Sequence, residues 1–259
     1  MTEIKATSWN PFTGCRKISP ACDNCYAEPL AQKLMKWGTA GYSNGFKFTE
    51  HFERILKAPA LSRKKPTLYF INNMSDTFHE LASEQALEQI LDVVTKAHWH
   101  NFLMLTKRSK RMREFFETRI VPENLWLGVT VENRKHGLER IKDLQSLSAA
   151  NKYLCCEPLL EDLGEFDLSG IRLVVGGGES GVNARKSDLS WVLSLKDQCE
   201  RQKVHFYWKS WGMFDGDGVR RGNGKSGCLI NGIEHKSIPE GLMPKPQKRA
   251  ATKNQLALL

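Results

Sequence analysis

A chain of 259 residues, 41% hydrophobic and 26% charged, has the length and composition of a globular protein with one large domain or two small ones. No run of about 18 apolar residues occurs, so no membrane span is expected, and Met1–Asn10 lacks the apolar stretch of a secretion signal, so a cytoplasmic location is expected. The net charge of +9 fits a solvated basic face or a nucleic-acid partner, and part of it sits in Lys245, Lys248, Arg249 and Lys253 of a C-terminal tail.

A first strand is predicted near Ala6–Trp9. The segment after it reads Trp9-Asn-Pro-Phe-Thr-Gly-Cys15 and continues to Cys22-Asp-Asn-Cys25-Tyr26-Ala27, a C-x6-C-x2-C spacing. The chain has seven cysteines, an odd number, and no secretion signal, which argues against a disulfide framework. Three thiolates on one loop suit three irons of a [4Fe–4S] cluster and leave the fourth iron open. Thiolates also suit zinc, but a structural zinc site closes with four ligands, often as paired C-x2-C units. No second C-x2-C exists here, and no histidine occurs before His51. Cys155, Cys156, Cys199 and Cys228 stay open as remote fourth ligands. At least one of Cys155 and Cys156 is expected in the core, and Cys199 on a buried helix face.

Apolar runs followed by polar residues and helical patterns then recur. Leu68–Ile71 leads to Asn72 and Asp76, and a helix is predicted over Ser83–His98 with Ser83 as its N-cap. Phe102–Leu105 leads to Thr106, Lys107, Arg108 and a basic helix through Phe116. Leu125–Val129 leads to Thr130, Glu132 and a helix to about Leu147. Tyr153–Cys156 leads to Glu157-Pro158. Ile171–Val175 leads to Gly176-Gly177-Gly178-Glu179-Ser180-Gly181 and a helix over about Leu189–Gln202. Val204–Trp208 ends at Lys209.

Strands alternating with helices predict an α/β fold with a parallel sheet of about seven strands. Polar residues directly after so many apolar strands fit a partial or closed (β/α) barrel, in which strand C-terminal ends share one mouth. An open sheet would spread them along an edge, and part of the pattern follows simply because βα loops are polar. The glycine run formally matches G-x-G-x-x-G. It comes late in the chain, however, and no acidic residue closes the next strand, so a dinucleotide fold is not favoured. Glycines there would let a ligand lie on the backbone, with Glu179 accepting from an amine or a ribose hydroxyl; a tight turn with a solvated carboxylate is the plainer alternative. The cluster Lys107 to Arg113 reads as a solvated helix face or a phosphate-binding rim, and His79 as a loop or cap residue. The barrel is expected over residues 1–212, a hairpin appendage turning at Asn231-Gly232 over 213–242, and a basic, disordered tail over 243–259.

Taken together, the motifs resemble a known family. Trp9-Asn-Pro-x-x-Gly-Cys15 through Cys22-x-x-Cys25-Tyr-Ala, Asn72-x-Met-Ser-Asp76-x-Phe-His79, Leu105-Thr-Lys-Arg108, Trp126-Leu-Gly-Val-Thr-Val-Glu132, Glu157-Pro-Leu, Gly177-Gly-Glu-Ser-Gly181 and Lys209-x-Trp-Gly212 are similar to those of the phage-encoded three-cysteine-motif family, classed with the radical S-adenosylmethionine superfamily. The match covers about Thr7 to Pro239. The resemblance implies a [4Fe–4S] cluster on Cys15, Cys22 and Cys25, S-adenosylmethionine on the open iron, and an external electron donor. It implies that Gly176, Gly177, Gly178, Glu179 and Ser180, with Asn72 and Glu132, serve the cofactor side. Asp76, Lys107, Arg108, Glu157 and Lys209 would meet a substrate, a nucleic-acid base or nucleotide being the expected class. The first cysteine gap is longer than the superfamily's usual C-x3-C-x2-C, which leaves open whether a cluster is catalytic or structural. Two other classes stay open on the residues alone. One is a non-catalytic Fe–S or zinc protein that binds nucleic acid. The other is a metal-dependent nuclease or hydrolase using Asp76, Glu132, Glu157 and Glu179.

Overall fold

The computed structural model describes residues 3–222 and 224–245, so most of the expected basic tail lies outside the described residues. In chain order the elements are β1 (Thr7–Trp9), β2 (Phe12–Thr13), α1 (Ala27–Lys36), β3 (Thr49–Glu50), α2 (Phe52–Leu56), α3 (Pro59–Ser62), β4 (Leu68–Ile71), α4 (Glu84–Lys96), β5 (Asn101–Thr106), α5 (Ser109–Phe116), β6 (Leu125–Thr130), α6 (Arg134–Gln145), β7 (Lys152–Cys156), β8 (Leu173–Gly176), α7 (Leu189–Arg201), β9 (His205–Trp208), β10 (Leu229–Ile230) and β11 (Ile233–Glu234).

Seven strands form one sheet in the order β1-β4-β5-β6-β7-β8-β9, every neighbouring pair parallel. Each crossover moves to the next strand, and the order never reverses. A doubly wound sheet reverses once; a barrel does not. The sheet also curves far enough that its two ends approach each other. The amide of Ile4, just before β1, donates to the hydroxyl of Tyr207 on β9 (3.4 Å). The fold is therefore an α/β protein built as a partial (β/α) barrel.

Both sheet faces are apolar, as parallel strands covered on both sides require. One face carries Leu68, Leu103, Trp126, Tyr153, Leu173 and Tyr207, which fill the lumen. The other carries Ile71, Met104, Leu127, Leu154, Val174 and Phe206, which pack under the helices. α4 follows the expected pattern, with the Ser83 hydroxyl capping the amide of Ala86 (3.2 Å) and Leu87, Ile90 and Val94 buried. Cys156 and Cys199 are core residues, and Cys155 is half-buried.

The C-terminal segment completes the barrel. β10 and β11 pair antiparallel across Asn231 and Gly232, both in the left-handed region (φ 49° and 79°), the turn that Asn-Gly favours. The chain then runs along the free edge of β9: Trp208 N–H donates to the carbonyl of His235, and Ser237 N–H to that of Phe206. The described residues end at the barrel floor. Leu242, fully buried, joins the lumen cluster with Ile238 and Met243. The Asn101 amide donates to the carbonyls of Gly241 (2.6 Å) and Leu242 (2.9 Å), and Arg172 to that of Glu240 (2.8 Å). Asn101 and Arg172 stand at strand starts, so the floor is plugged and the mouth lies at the opposite end. No described helix is long and apolar enough to cross a membrane.

Candidate cluster and cofactor site at the barrel mouth

The cysteine loop leaves β1 at the C-terminal ends of the strands and is pinned from below. The Asn72 side chain accepts from Phe12 N–H (2.8 Å) and donates to the Thr77 hydroxyl (3.0 Å). The Asn10 side chain accepts from Met74 N–H (3.2 Å), and the Ser75 hydroxyl donates to the carbonyl of Gly14 (2.6 Å). Gly14, immediately before Cys15, has φ 75°, and a Cβ there would lie 2.2 Å from the Lys47 carbonyl oxygen. Only glycine satisfies both conditions.

Cys15, Cys22 and Cys25 are all free thiols of this one loop. Cys22 is buried in the single 3-10 turn Pro20–Cys22, and the other two are half-buried. Burial, reinforced by the Asp76 carboxylate, pushes the Cys15 thiol up to about 11. Among the described residues no three His, Cys, Asp or Glu side chains converge as a ready metal site. In its chemistry the donor set nevertheless suits an Fe–S cluster. Three soft ligands share one loop at a mouth, without a disulfide between them, and a cation stands against one of them.

That cation is Arg108. Its guanidinium donates to Asp76 (3.1 Å), Glu80 (3.0 Å), the Arg16 carbonyl (3.3 Å) and the Cys15 sulfur (3.7 Å). Asp76 also accepts from the Thr106 hydroxyl (2.6 Å) and from the amides of Phe78 (2.9 Å) and Lys107 (3.0 Å). Arg108, expected on the substrate side, thus reaches the cysteine loop at Cys15 and Arg16, and Asp76, expected there too, is buried beneath it and holds the guanidinium in place. His79 is a loop residue as expected, its ring stacked on Phe48 at 4.2 Å.

A second arginine clamps the other end of the loop. Glu179 accepts from the Arg185 amide (2.7 Å), the Arg185 guanidinium (2.9 Å) and the Asn24 side chain (3.0 Å). Arg185 also donates to the carbonyl of Pro20 (2.7 Å). Burial alone would raise the Glu179 carboxyl, but the hydrogen bonds from Arg185 and Asn24 hold it below its ordinary value. Arg185 and Asn24 carry no sequence motif, and their part becomes visible only when the two loops meet.

The glycine run is explained mainly by close packing. A Cβ on Gly176 would meet the Trp208 ring at 2.8 Å, one on Gly177 the Glu157 side chain at 3.0 Å, and one on Gly178 the Trp211 carbonyl at 2.1 Å. Gly177 thereby leaves room for Glu157, which takes both its hydrogen bonds from Lys209 at 2.9 Å. Burial alone would lower the Lys209 ammonium; Glu157 more than offsets it and holds it above its ordinary value. Half-buried Ser180 follows. Cys155 lies in the lumen close to Glu157, Lys209 and Lys107, its thiol pushed up to about 11 by burial and then by Glu157. Exposed Tyr26 belongs to the same mouth, its hydroxyl donating to the Asn73 carbonyl (2.7 Å). Tyr26 was not expected as a site residue, and Cys155 only as one of four remote candidates for a fourth metal ligand.

Two expected cofactor residues face elsewhere. Asn72 spends its amide on the loop, as above. Glu132, wholly buried, pairs with Arg140 of α6 (2.6 Å), on the helix-covered side of the sheet. In the basic cluster after β5, Arg111 binds the Ala82 carbonyl and Arg113 faces Asp143, so those two cations serve packing between loops and helices.

A parallel (β/α) barrel with a three-cysteine loop fastened at the C-terminal strand ends is an α/β protein whose polar site is its mouth. The chain belongs to the family described as protein of unknown function (DUF5131), which matches residues 2–239. No curated protein matches it in sequence. Similar solved structures include a cysteine-to-serine mutant of spore photoproduct lyase, at 10% identity and a TM-score of 0.44 over 79% of this chain and 65% of that one. Another is spore photoproduct lyase complexed with dinucleoside spore photoproduct, at 9% identity and 0.42 over 74% and 60%. A third is a mutant of the same enzyme with bound AdoMet and dinucleoside spore photoproduct, at 10% identity and 0.41 over 76% and 62%. The chain spans less than two thirds of the length of these structures. At such identities and TM-scores, function has to be argued from the chain's own residues.

Proposed function

We propose that this protein is a radical S-adenosylmethionine enzyme acting on a nucleic-acid base or nucleotide. Cys15, Cys22 and Cys25 would hold three irons of a [4Fe–4S] cluster, with S-adenosylmethionine beside the loop of Gly176 to Ser180. When bound and reduced by an external donor, these groups would supply a 5′-deoxyadenosyl radical that abstracts hydrogen from the substrate. The protein's own part is to fasten the cysteine loop through Arg108 and Arg185, and to plug the lumen below so that water reaches the mouth from one side only. Lys107 and Lys209, with exposed Tyr26 at the same mouth, offer cations and an aromatic face of the kind an anionic, aromatic substrate uses.

The observation that carries this reading is three free thiols in C-x6-C-x2-C spacing on one loop at the C-terminal mouth of a parallel barrel. A non-catalytic cluster protein is the second reading, favoured by one observation: the Glu179 carboxylate is already filled by Arg185 and Asn24.

The test is anaerobic reconstitution with iron and sulfide, followed by dithionite and S-adenosylmethionine and an assay for 5′-deoxyadenosine. The expected result is product from the wild type and none from Cys22→Ala. A reducible, intact cluster whose electron paramagnetic resonance spectrum ignores added S-adenosylmethionine would sink the enzymatic reading and leave the structural cluster.

A further inference from the structure

We propose that Arg108 tunes the cluster: its hydrogen bond to the Cys15 sulfur and its fixed positive charge raise the cluster's reduction potential, and Glu80 opposes it. This rests on the proposed cluster ligands, and it concerns Arg108, which the family resemblance places on the substrate side, and its partner Glu80.

Three observations carry it. First, among the described residues no other cationic side chain donates a hydrogen bond to a sulfur of the cysteine loop (3.7 Å from Arg108 to Cys15). Second, the cation is held by the barrel and not merely by the loop. Asp76 fixes it, and Asp76 is itself fixed by the Thr106 hydroxyl and by the amides of Phe78 and Lys107. A loop rearrangement on cluster binding would therefore meet a charge already in position. Third, the Arg108 side chain is only 7% exposed, whereas that of Glu80, its second carboxylate partner, is 51% exposed. Water screens the guanidinium little, and Glu80 can be changed without opening the core.

The direction follows from elementary electrostatics. Reduction adds negative charge to the cluster, part of it on the sulfurs. An N–H aimed at a ligand sulfur, and a positive charge behind it, stabilise the reduced form more than the oxidised form. A nearby carboxylate does the reverse. Low surrounding polarity strengthens the effect of buried Arg108, and water at half-exposed Glu80 makes the opposing effect smaller. A purely mechanical role, in which Arg108 only ties the loop through the Arg16 carbonyl, would alter how much cluster assembles but not the potential of the assembled fraction.

The experiment is a redox titration, followed by electron paramagnetic resonance, of reconstituted wild type, Arg108→Gln, Arg108→Lys and Glu80→Gln. Arg108→Gln is expected to titrate at a more negative potential and Arg108→Lys to shift less in the same direction. Glu80→Gln is expected to shift the opposite way at wild-type iron content. If Arg108→Gln takes up no iron, the half-exposed Glu80→Gln change decides. Unshifted potentials in Glu80→Gln and Arg108→Lys, with clusters intact, would overturn the tuning role and leave the cluster reading standing. A wild-type chain that binds no iron would remove both together.

Discussion

Glu179 illustrates how a single carboxylate can be read one way in sequence and act another way in the folded chain. Placed after a glycine run, it reads as a ligand acceptor. In the fold it joins two loops by accepting from Arg185 and Asn24. Its carboxyl is held below the ordinary value, so the folded state binds its proton less readily than the unfolded chain does. The stability it contributes is fully present above the unfolded value of about 4.3, and it is lost as pH falls through the folded value. Glu179→Gln is expected to cost about 1–2 kcal/mol at neutral pH, discounted for the half-exposed Arg185. The variant and wild type should converge in acid. Urea unfolding from neutral pH down to about pH 3.5 checks this. A gap that stays constant over that range would mean that the charge of Glu179 is not what holds the loops.

Among the elements, the strands and the long helices were legible because each is periodic and locally self-consistent. The apolar runs of four or five residues and the Ser83 cap reappear where expected, as does the Asn231-Gly232 turn. The elements between Ala27 and Ser62 were not read. α1 buries chiefly the small residues Ala27 and Ala31, and α2 and α3 are five and four residues long, so neither leaves a strong apolar period. The β2–β3 pair is two residues wide and depends on a long-range match that no local pattern encodes. Gly128 shows the same dependence inside a strand. A Cβ there would sit 2.3 Å from the Tyr153 ring, which lies across it from β7. Gly128→Ala should therefore destabilise the protein by about 1–3 kcal/mol through overpacking. Combination with Tyr153→Leu should recover part of that loss, as read from denaturation midpoints. Equal losses with and without the tyrosine would rule out the clash.

Across the whole molecule, the barrel is finished by the chain's last described residues. Leu242 closes the floor from 174 residues beyond Leu68, the lumen residue of β4 that it meets in the same cluster. Leu242→Ala is expected to cost about 2–5 kcal/mol by opening a cavity under the lumen. The loss should appear as a lower denaturation midpoint with the slope unchanged; a loss below about 0.5 kcal/mol would mean that the floor can collapse or is not sealed by this residue.

The sequence by itself determined the parallel α/β fold, the cysteine loop and the mouth as the polar end, because strand period, ligand spacing and βα alternation are local properties of the chain. Tertiary structure alone decided which polar residues the cysteine loop consumes and which are left for a ligand. Arg108 went to Cys15 and Asp76, Glu179 to Arg185, and Glu132 to Arg140 behind the sheet. The reason is physical: a buried charge must find an opposite charge and hydrogen-bond partners. Those partners are brought within reach only by sheet curvature and loop docking, which no spacing along the chain records.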